Sequence, residues 1–270
     1  MPRVNVDRHR VRRGTEVRLG RIDTKQDGGL SEEDGKKRLP VLTERLAELQ
    51  ELMYAEGKHA LLIVLQAMDA AGKDSTIRHV FGPVNPQGCR VASFKVPTSL
   101  ERRHDFLWRV HRAVPPLGSF GIFNRSHYED VLVVRVKKLA SPRVWKARFD
   151  HINAFERLLT DNGVAILKFY LHISKGYQKR RFERRLERPD KRWKFNVGDL
   201  EDRARWGAYR TAYEEVFRRC STTHAPWYVV PAERRWYRNL VVAQAAVNAL
   251  EKLKMRTPKP DFDPASIRID

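Results

Sequence analysis

A turn in the first third of the chain combines the residue types that hold a phosphate chain. From residue 68 to residue 76 it reads Met-Asp-Ala-Ala-Gly-Lys-Asp-Ser-Thr. Backbone N–H groups at such a turn bind anions, the dipole of a following helix adds partial positive charge, and Lys73 adds a full charge. The expected ligand is therefore a polyphosphate or a nucleotide. The candidate phosphate-binding residues of this turn are Ala70, Ala71, Gly72, Lys73, Asp74 and Ser75.

The turn departs at two positions from the P-loop pattern G-x-x-x-x-G-K-[ST]. Ala67 stands at the first glycine, and Asp74 stands at the hydroxyl residue that would contact magnesium. A simpler interpretation is that Gly72 only caps a turn between a strand and a helix, and that Lys73 is a solvated surface charge. Asp69 lies inside the loop and two hydroxyl residues follow it, so that acid, base and hydroxyl share one phosphate-sized space. This crowding favours the phosphate-binding interpretation.

Strands that alternate with helices are expected to position this turn. Apolar segments occur at 60–66, 89–96, 119–123, 164–171 and 226–231. Helical patterns occur at about 74–81, 99–113, 143–162, 174–187, 199–219 and 233–255. Such alternation predicts a parallel sheet with helices on both faces. We therefore expect an α/β fold with three layers, α/β/α, around a mostly parallel five-stranded sheet.

A second polar cluster follows the apolar segment 119–123. It reads Asn124-Arg125-Ser126-His127-Tyr128-Glu129-Asp130. Because ligands of open α/β sheets bind at the carboxyl ends of strands, this cluster is expected at the same edge as the Gly72 turn. Phosphoryl transfer needs groups there that hold Mg²⁺ and the reacting oxygens. The amide side chain of Asn124 coordinates Mg²⁺ only weakly or through water, so a carboxylate is needed. Asp69 is the favoured metal ligand, with Asp74 and Glu129 as alternatives.

A strongly basic segment follows the apolar run 164–171. Between Lys175 and Lys194 there are ten lysines and arginines and only three acids, interleaved with aromatic residues. Most charge runs are solvated faces, but here the cations would lie on several sides of one helix. Excess charge of one sign destabilises a segment unless an anion neutralises it. The segment is therefore a candidate binding site for an anion.

The composition agrees with a polyanionic partner. The chain has 270 residues, and 53 lysines and arginines against 33 acids give a net charge of +20. Nucleic acid is a possible partner on charge alone, but no RNA- or DNA-binding motif supports it, and it is not expected. No membrane span or signal core is visible, which predicts a soluble cytoplasmic protein without a membrane partner. The two cysteines, Cys89 and Cys220, are interpreted as packing residues.

One domain is expected over residues 36–256, and the basic segment lies within it. Residues 1–35 are polar, show no hydrophobic period and predict an arm on the surface, whereas residues 257–270 predict an irregular tail. From Lys36 onwards, apolar residues recur at steps of three and four, which predicts an amphipathic helix. Its apolar face, from Leu39 to Met53, is either core or a subunit contact.

Three motifs in this order resemble those of the polyphosphate kinase 2 family. The loop around Gly72 is similar to the family's D-A-A-G-K, and residues 124–130 resemble D-R-S-W-Y-N-R, with Asn124 at the acid, His127 at the Trp and Glu129-Asp130 at N-R. The basic segment resembles the family's lid, R-R-F-x-x-R…D-P-x-K-x-W-K…D…W…Y, in which Asp199, Trp206 and Tyr209 match the last three positions. This resemblance implies a lid at about 174–206 of a catalytic domain at 36–256. The resemblance extends from about Gly35 to Leu253, and the forms of the first two motifs look like the family's third class.

The resemblance implies a P-loop kinase-like fold and transfer of phosphoryl groups between inorganic polyphosphate and AMP or ADP, with Mg²⁺, or Mn²⁺ in its place, as cofactor. Guanine nucleotides are further candidate acceptors. It implies catalytic roles for Asp69, Lys73, Asn124, Arg125 and Arg181. The implied polyphosphate contacts beyond the loop are Arg125, Arg135, Arg180, Arg181 and Arg185, and the implied nucleotide contacts are Asp69, Asn124, Tyr128 and Glu129.

Three further expectations accompany this interpretation. His127 is interpreted as a hydrogen-bonded imidazole that supports the site rather than as a catalyst, because phosphoryl transfer needs little from a general base. The resemblance and the Leu39–Met53 face both suggest a homodimer or homotetramer. The alternatives are an ATP-dependent nucleoside monophosphate kinase and, in another class, a basic nucleic-acid-binding protein with an inactive P-loop fold.

Overall fold

The fold of residues 4–269, which a computed structural model describes with the exception of the Ala265 side chain, is built on one five-stranded sheet. The strands are β1 (Ala60–Ala67), β2 (Cys89–Ser93), β3 (Phe120–Asn124), β4 (Val164–His172) and β5 (Trp227–Pro231). Their order is β2-β3-β1-β4-β5, and every neighbouring pair is parallel. The predicted five-stranded α/β sheet is thereby confirmed.

The helices cover both faces of the sheet. They are α1 (Glu32–Glu56), α2 (Lys73–Val80), α3 (Trp108–His111), α4 (Val133–Val136), α5 (Pro142–Asp161), α6 (Lys175–Glu187), α7 (Gly198–Ala204), α8 (Trp206–Cys220) and α9 (Arg235–Lys252). Helix α9 packs on α1 and α2, while α8 packs on α4 and α5. All eight residues of β1 are buried, because a central parallel strand is covered on both sides.

Two predicted helices are interrupted. In place of the helix at 99–113 the chain forms a 3₁₀ turn at Glu101–Arg103 and the short α3. The carboxylate of Asp105 accepts the backbone N–H groups of Leu107 and Trp108 and so starts a new turn. The helix predicted at 199–219 breaks at Arg205 into α7 and α8.

The N-terminal arm is more deeply packed than its polar composition predicts. Val4, Val6, Val11 and Leu19 are buried in the core. The arm also runs antiparallel along the outer edge of β5, where the backbone N–H of Val11 donates to the carbonyl of Trp227 at 2.8 Å. The expectation of a surface arm was wrong in this respect, because four irregularly spaced apolar residues carry no periodic signal.

The amphipathic face of α1 belongs to the core. Leu46, Leu49 and Met53 are buried, and α1 packs on α9. Of the two alternatives for this face, the core is therefore confirmed, and the face gives no support for a subunit contact. Between residues 257 and 269 the tail forms one 3₁₀ turn, Pro264–Ser266, and is otherwise irregular. No helix among the described residues is long and apolar enough to cross a membrane.

Candidate active site

The loop between β1 and α2 has the backbone of an anion-binding turn. Ala70 and Gly72 both adopt positive φ angles, 65° and 105°. A non-glycine residue rarely takes this conformation, and it is concentrated at functional sites. Gly72 is the N-cap of α2, so that the loop ends at the positive end of a helix dipole. The structure therefore forms the turn that the sequence predicts.

Three side chains donate hydrogen bonds to backbone carbonyls of this loop. Lys73 Nζ donates to the carbonyl of Ala67 at 3.4 Å, and Gln178 Nε2 donates to the carbonyl of Asp69 at 3.0 Å. On the opposite side, Arg238 Nη1 donates to the carbonyl of Ala71 at 3.0 Å. With the carbonyls occupied in this way, the loop offers N–H groups rather than oxygens to an incoming anion.

The second polar cluster meets the loop where β3 ends. Leu65 of β1 is in register with Asn124 of β3, and the backbone N–H of Arg125 donates to the carbonyl of Leu65 at 3.0 Å. Asn124 Nδ2 donates to Asp74 Oδ1 at 2.6 Å, and Arg125 Nη2 donates to Asp69 Oδ1 at 2.8 Å. The sequence prediction that these residues lie at one sheet edge is thus confirmed.

Opposite charges at this edge lie on half-buried side chains. Burial lowers the pKa of Lys73, and the nearby Arg125 lowers it further. Burial raises the pKa of Glu129, and Arg125 and Lys73 only partly oppose that rise. Burial alone would lower the pKa of Arg125, but Glu129 and Asp69 hold it above its ordinary value. A bound anion would therefore be stabilised by Lys73 and Arg125, whose charges the nearby carboxylates neutralise only in part.

A narrow cleft opens beside these residues. Its polar lining residues are Asp69, Arg125, Glu129, Asp202, Tyr209 and Tyr213. The cleft thus contains three of the predicted site residues together with Tyr209 of the lid motif. Asp202 and Tyr213 are the two of these six that the sequence did not indicate. Asp202 accepts a hydrogen bond from the Tyr209 hydroxyl at 2.9 Å and forms an ion pair with Lys137.

Tyr128 is not a nucleotide contact, which corrects the expectation. It is completely buried, its hydroxyl donates to Glu156 Oε1 at 2.8 Å, and it accepts from Lys168 Nζ at 2.8 Å. The 3₁₀ turn His127–Asp130 points this side chain inward from the site. His127 Nε2 lies 3.2 Å from the same Glu156 oxygen, so His127 is the buried, hydrogen-bonded imidazole that the sequence analysis favoured.

Arg135 is not a free phosphate contact either. Its Nη1 lies 2.6 Å from Glu215 Oε2, and its guanidinium stacks over the Trp145 ring. Glu215 comes from α8, about 80 residues further along the chain, and local sequence does not reveal such a partner. The charge of Arg135 is consequently already compensated within the fold.

The three lid arginines have different surroundings. Arg180 is largely exposed and lies 3.8 Å from Glu233, and Arg185 lies 3.9 Å from Asp199 while donating to the carbonyl of Lys194. Arg181 Nε is buried and has no hydrogen-bond partner among residues 4–269. Burial and the neighbouring Arg235 lower the pKa of Arg181. Arg181 is therefore the lid arginine best prepared for an anion.

Two residues that hold the loop, Gln178 and Arg238, were not predicted from the sequence. Gln178 is a neutral residue within the basic segment, so its type gives no signal of a special role, yet it is only 1% exposed. Arg238 is also 1% exposed and lies in α9, whose residues from Leu240 to Ala246 are small or apolar apart from Gln244. A lone arginine next to such a run is a signal that could have been used, because buried charges need a specific partner.

The carboxylates fit a metal that substrate phosphates help to hold. No group of three or more His, Cys, Asp or Glu residues suited to a metal occurs within residues 4–269. Mg²⁺, however, is commonly bound through one or two carboxylates together with substrate phosphates. Asp69 and Asp74, with Asn124 between the two loops, offer this smaller set of oxygens.

These features define a P-loop kinase-like phosphotransferase: a parallel sheet of order 2-3-1-4-5, a phosphate loop after the central strand, a polar cluster after its neighbour and a basic helix after β4. A model of the family described as Polyphosphate kinase 2 matches residues 29–258. The chain belongs to the polyphosphate kinase 2 family.

Relatives of known name support the same placement. An AMP/ADP-polyphosphate phosphotransferase of Meiothermus ruber is 58% identical over 232 residues, covering 86% of this chain and 87% of the relative. An ADP-polyphosphate phosphotransferase of Rhodopseudomonas palustris is 44% identical over 270 residues, covering 95% of this chain and 93% of the relative. The crystal structure of Polyphosphate Kinase 2 from Arthrobacter aurescens TC1 superposes with a TM-score of 0.91 at 44% identity, covering 95% of this chain and 93% of that chain.

Proposed function

We propose that this phosphotransferase moves the terminal phosphoryl group of inorganic polyphosphate onto AMP or ADP, in a reversible reaction. The names of its relatives indicate these substrates. The observation on this chain that carries the proposal is the meeting, at one sheet edge, of the phosphate loop and the Asp69–Arg125 pair. A basic helix with the unpaired Arg181 Nε follows the neighbouring strand β4.

In the forward reaction an oxygen of the acceptor's last phosphate attacks the end phosphorus of the polyphosphate. The bridging P–O bond breaks, and the chain leaves one unit shorter with the electron pair. The N–H groups of the loop and Lys73 hold the phosphates in line, while Arg125 and Arg181 neutralise the charge that spreads over the moving group. The acceptor nucleotide lies towards Asp69, Asn124 and Glu129.

Magnesium, or manganese in its place, belongs to the proposal. Asp69 would hold the ion, with Asn124 and Asp74 beside it, and Glu129 is the alternative carboxylate. The bound ion would supply positive charge to the phosphate oxygens. This assignment is supported by the oxygen donors that the structure gathers between the two loops.

The test is the formation of nucleotide from polyphosphate. Purified protein is given polyphosphate and Mg²⁺ with ADP, and separately with AMP, and ATP and ADP are measured over time. We expect product with both acceptors and a loss of transfer of roughly 10³-fold or more in the Lys73→Ala variant. Near-normal transfer by Lys73→Ala would contradict the assigned roles. GMP and GDP in the same assay test guanine nucleotides as acceptors.

The same assay separates the two alternatives. A nucleoside monophosphate kinase would use ATP in preference to polyphosphate as donor. A nucleic-acid-binding protein would form no ATP and would bind RNA or DNA with an affinity that falls steeply with salt. The relatives' names favour polyphosphate as donor over both alternatives.

We also propose a homodimer or homotetramer, because large apolar side chains remain exposed on α1. Val41 is 65% exposed and Tyr54 is 63% exposed. Light scattering of the purified protein tests this, and a monomer at all concentrations would contradict it. The cytoplasmic location stays a prediction.

A further inference from the structure

Arg238 reaches the phosphate loop from behind. Its Nη1 donates to the carbonyl of Ala71 at 3.0 Å, and its Nη2 donates to the hydroxyl oxygen of Ser75 at 3.3 Å. Asn239 Oδ1 accepts from both Nε and Nη2 of the same guanidinium, at 3.1 and 2.9 Å. The planar group is thus fixed from two sides, and one side is the loop itself.

The acceptors of Arg238 are all neutral oxygens. Burial lowers the pKa of Arg238 to about 10, Tyr177 opposes this, and Arg235 and Arg181 lower it further. A buried cation normally needs an anionic partner to offset the loss of hydration. The positive charge of Arg238 therefore adds to that of Arg181 and Arg235 close to the loop and is available to stabilise an anion there.

The contact also fixes one peptide group. In a trans peptide the carbonyl and the following N–H point in opposite directions, so that holding the Ala71 carbonyl orients the N–H of Gly72 away from Arg238. Among residues 4–269 no backbone carbonyl accepts a hydrogen bond from this N–H. A Cβ at Gly72 would meet Arg238 Nη1, which shows how closely the loop lies on the guanidinium.

We propose that Arg238 is a positioning residue for phosphoryl transfer: it holds the Ala71–Gly72 peptide so that the Gly72 N–H binds a phosphate of the donor chain. This inference rests on the proposed function, and it deepens it. It assigns to α9, at the far end of the chain, a part in forming the phosphate site. It also gives the Ser75 hydroxyl a role as an acceptor for Arg238 rather than as a direct phosphate contact.

The test compares Arg238→Met and Arg238→Lys with the wild type. Binding of tripolyphosphate without an acceptor nucleotide is measured by calorimetry, and KM for polyphosphate and KM for AMP are measured by turnover. We expect the Kd for tripolyphosphate to rise about 10- to 100-fold in Arg238→Met, since one charge-assisted contact network is lost. The Kd of Arg238→Lys should lie between those of the wild type and Arg238→Met, because lysine keeps the charge but cannot make the forked contact. KM for AMP should change less than KM for polyphosphate.

Tyr237→Phe is the matched control. Tyr237 neighbours Arg238 on α9, is completely buried and shares a 2.8 Å hydrogen bond with His9, away from the loop. We expect its affinity for tripolyphosphate to stay within about twofold of the wild type. Added guanidinium ion at millimolar concentration should partly restore the affinity of an Arg238→Ala variant, which a general loss of stability would not allow.

Unchanged tripolyphosphate affinity in a folded Arg238→Met variant would overturn the inference, as would an equal loss in Tyr237→Phe. If Arg238→Met does not fold, Arg238→Lys and Asn239→Ala decide the question by the same measurement. A wild-type protein that forms no nucleotide from polyphosphate would instead overturn the proposed function. The two failures are therefore distinguishable.

Discussion

Arg125 and Asp69 form an ion pair in which Nη2 and Oδ1 are 2.8 Å apart, and the backbone of Arg125 is left-handed, with a φ of 62°. A non-glycine residue in this conformation is strained by about 1–3 kcal/mol, and surrounding contacts must hold it. The Arg125 N–H donates to Leu65, and Glu129 lies 3.7 Å from the same guanidinium. Arg125 is thus shared between two carboxylates, and a cation at Asp69 would release it towards a phosphate.

Asp69→Asn tests this relationship. We expect kcat with polyphosphate and ADP to fall by about 100-fold or more, and the Mg²⁺ concentration for half-maximal activity to rise, since a neutral amide is a poorer ligand and a weaker partner for Arg125. Magnesium titrations of activity measure both effects. Asp190→Asn, which removes an exposed carboxylate paired with Arg188, is the control. An unchanged magnesium requirement in Asp69→Asn would remove Asp69 from the metal site.

Arg181→Ala tests the lid. An arginine that acts on the transition state contributes on the order of 10³ to 10⁵ in rate, so we expect kcat to fall by about 10³-fold with a smaller change in KM. Lys179→Ala is the control on the same helix, because Lys179 is exposed and forms a surface ion pair with Glu183. Steady-state kinetics of both variants decide the matter. Equal losses in the two variants would mean that the lid acts through its general charge alone.

Gln178→Leu tests the connection between lid and loop. Gln178 Nε2 donates to the carbonyl of Asp69, and its Oε1 accepts from Arg203 at 3.2 Å. Loss of these contacts leaves buried polar groups unpaired, which costs about 1–3 kcal/mol. We therefore expect faster tryptic cleavage within 175–194, measured by mass spectrometry over time. Gln244→Leu, which removes a hydrogen bond to Asn248 on α9, should leave that rate unchanged.

Lys168→Met tests the buried network behind the second polar cluster. Lys168 Nζ lies 2.6 Å from Glu156 Oε2, and both side chains are completely buried. Removing one partner of a buried pair costs about 3–5 kcal/mol, whereas replacing both costs less. Urea unfolding should therefore show a larger loss for Lys168→Met than for the double variant Lys168→Met/Glu156→Leu. A loss below about 1 kcal/mol in the single variant would show that Glu156 needs no cationic partner.

The same network predicts a pH dependence of stability. Burial alone would raise the pKa of Glu156, but Lys168 and His127 together hold it below its ordinary value of 4.5. A carboxylate with a lowered pKa stabilises the fold above that ordinary value, and this contribution is lost as the pH falls below it. Urea unfolding from pH 6 to about 3 should show this loss, and it should be absent in Lys168→Met/Glu156→Leu.

The strands and the phosphate loop could be predicted because their signals are local. The apolar run of β1 and the Gly72–Lys73 turn lie within one short stretch, and parallel topology then brings Asn124 to the same edge. The surroundings of Arg135 and Tyr128 could not be predicted in this way. Their partners, Glu215 and Glu156, come from α8 and α5, and only the packed fold brings them together.

Burial was the second quantity that the sequence did not reveal. Gln178 and Arg238 are polar residues in segments whose character suggests other roles, and each proves to be almost wholly buried against the loop. Val6 and Leu19 of the arm are likewise isolated apolar residues without a period, so that only the completed core shows where they pack. Single buried residues carry no repeat that a pattern could detect.

The pairing of Val11 with Trp227 has a consequence for self-association. An uncovered β5 would present free N–H and carbonyl groups on which a second molecule could add a strand, the usual starting point of aggregation. Arg10 and Val11 of the arm cover that edge of the sheet. Removing these residues would expose the edge of β5 to other molecules. We therefore expect turbidity on storage, rather than lost turnover, to be the first effect of truncation.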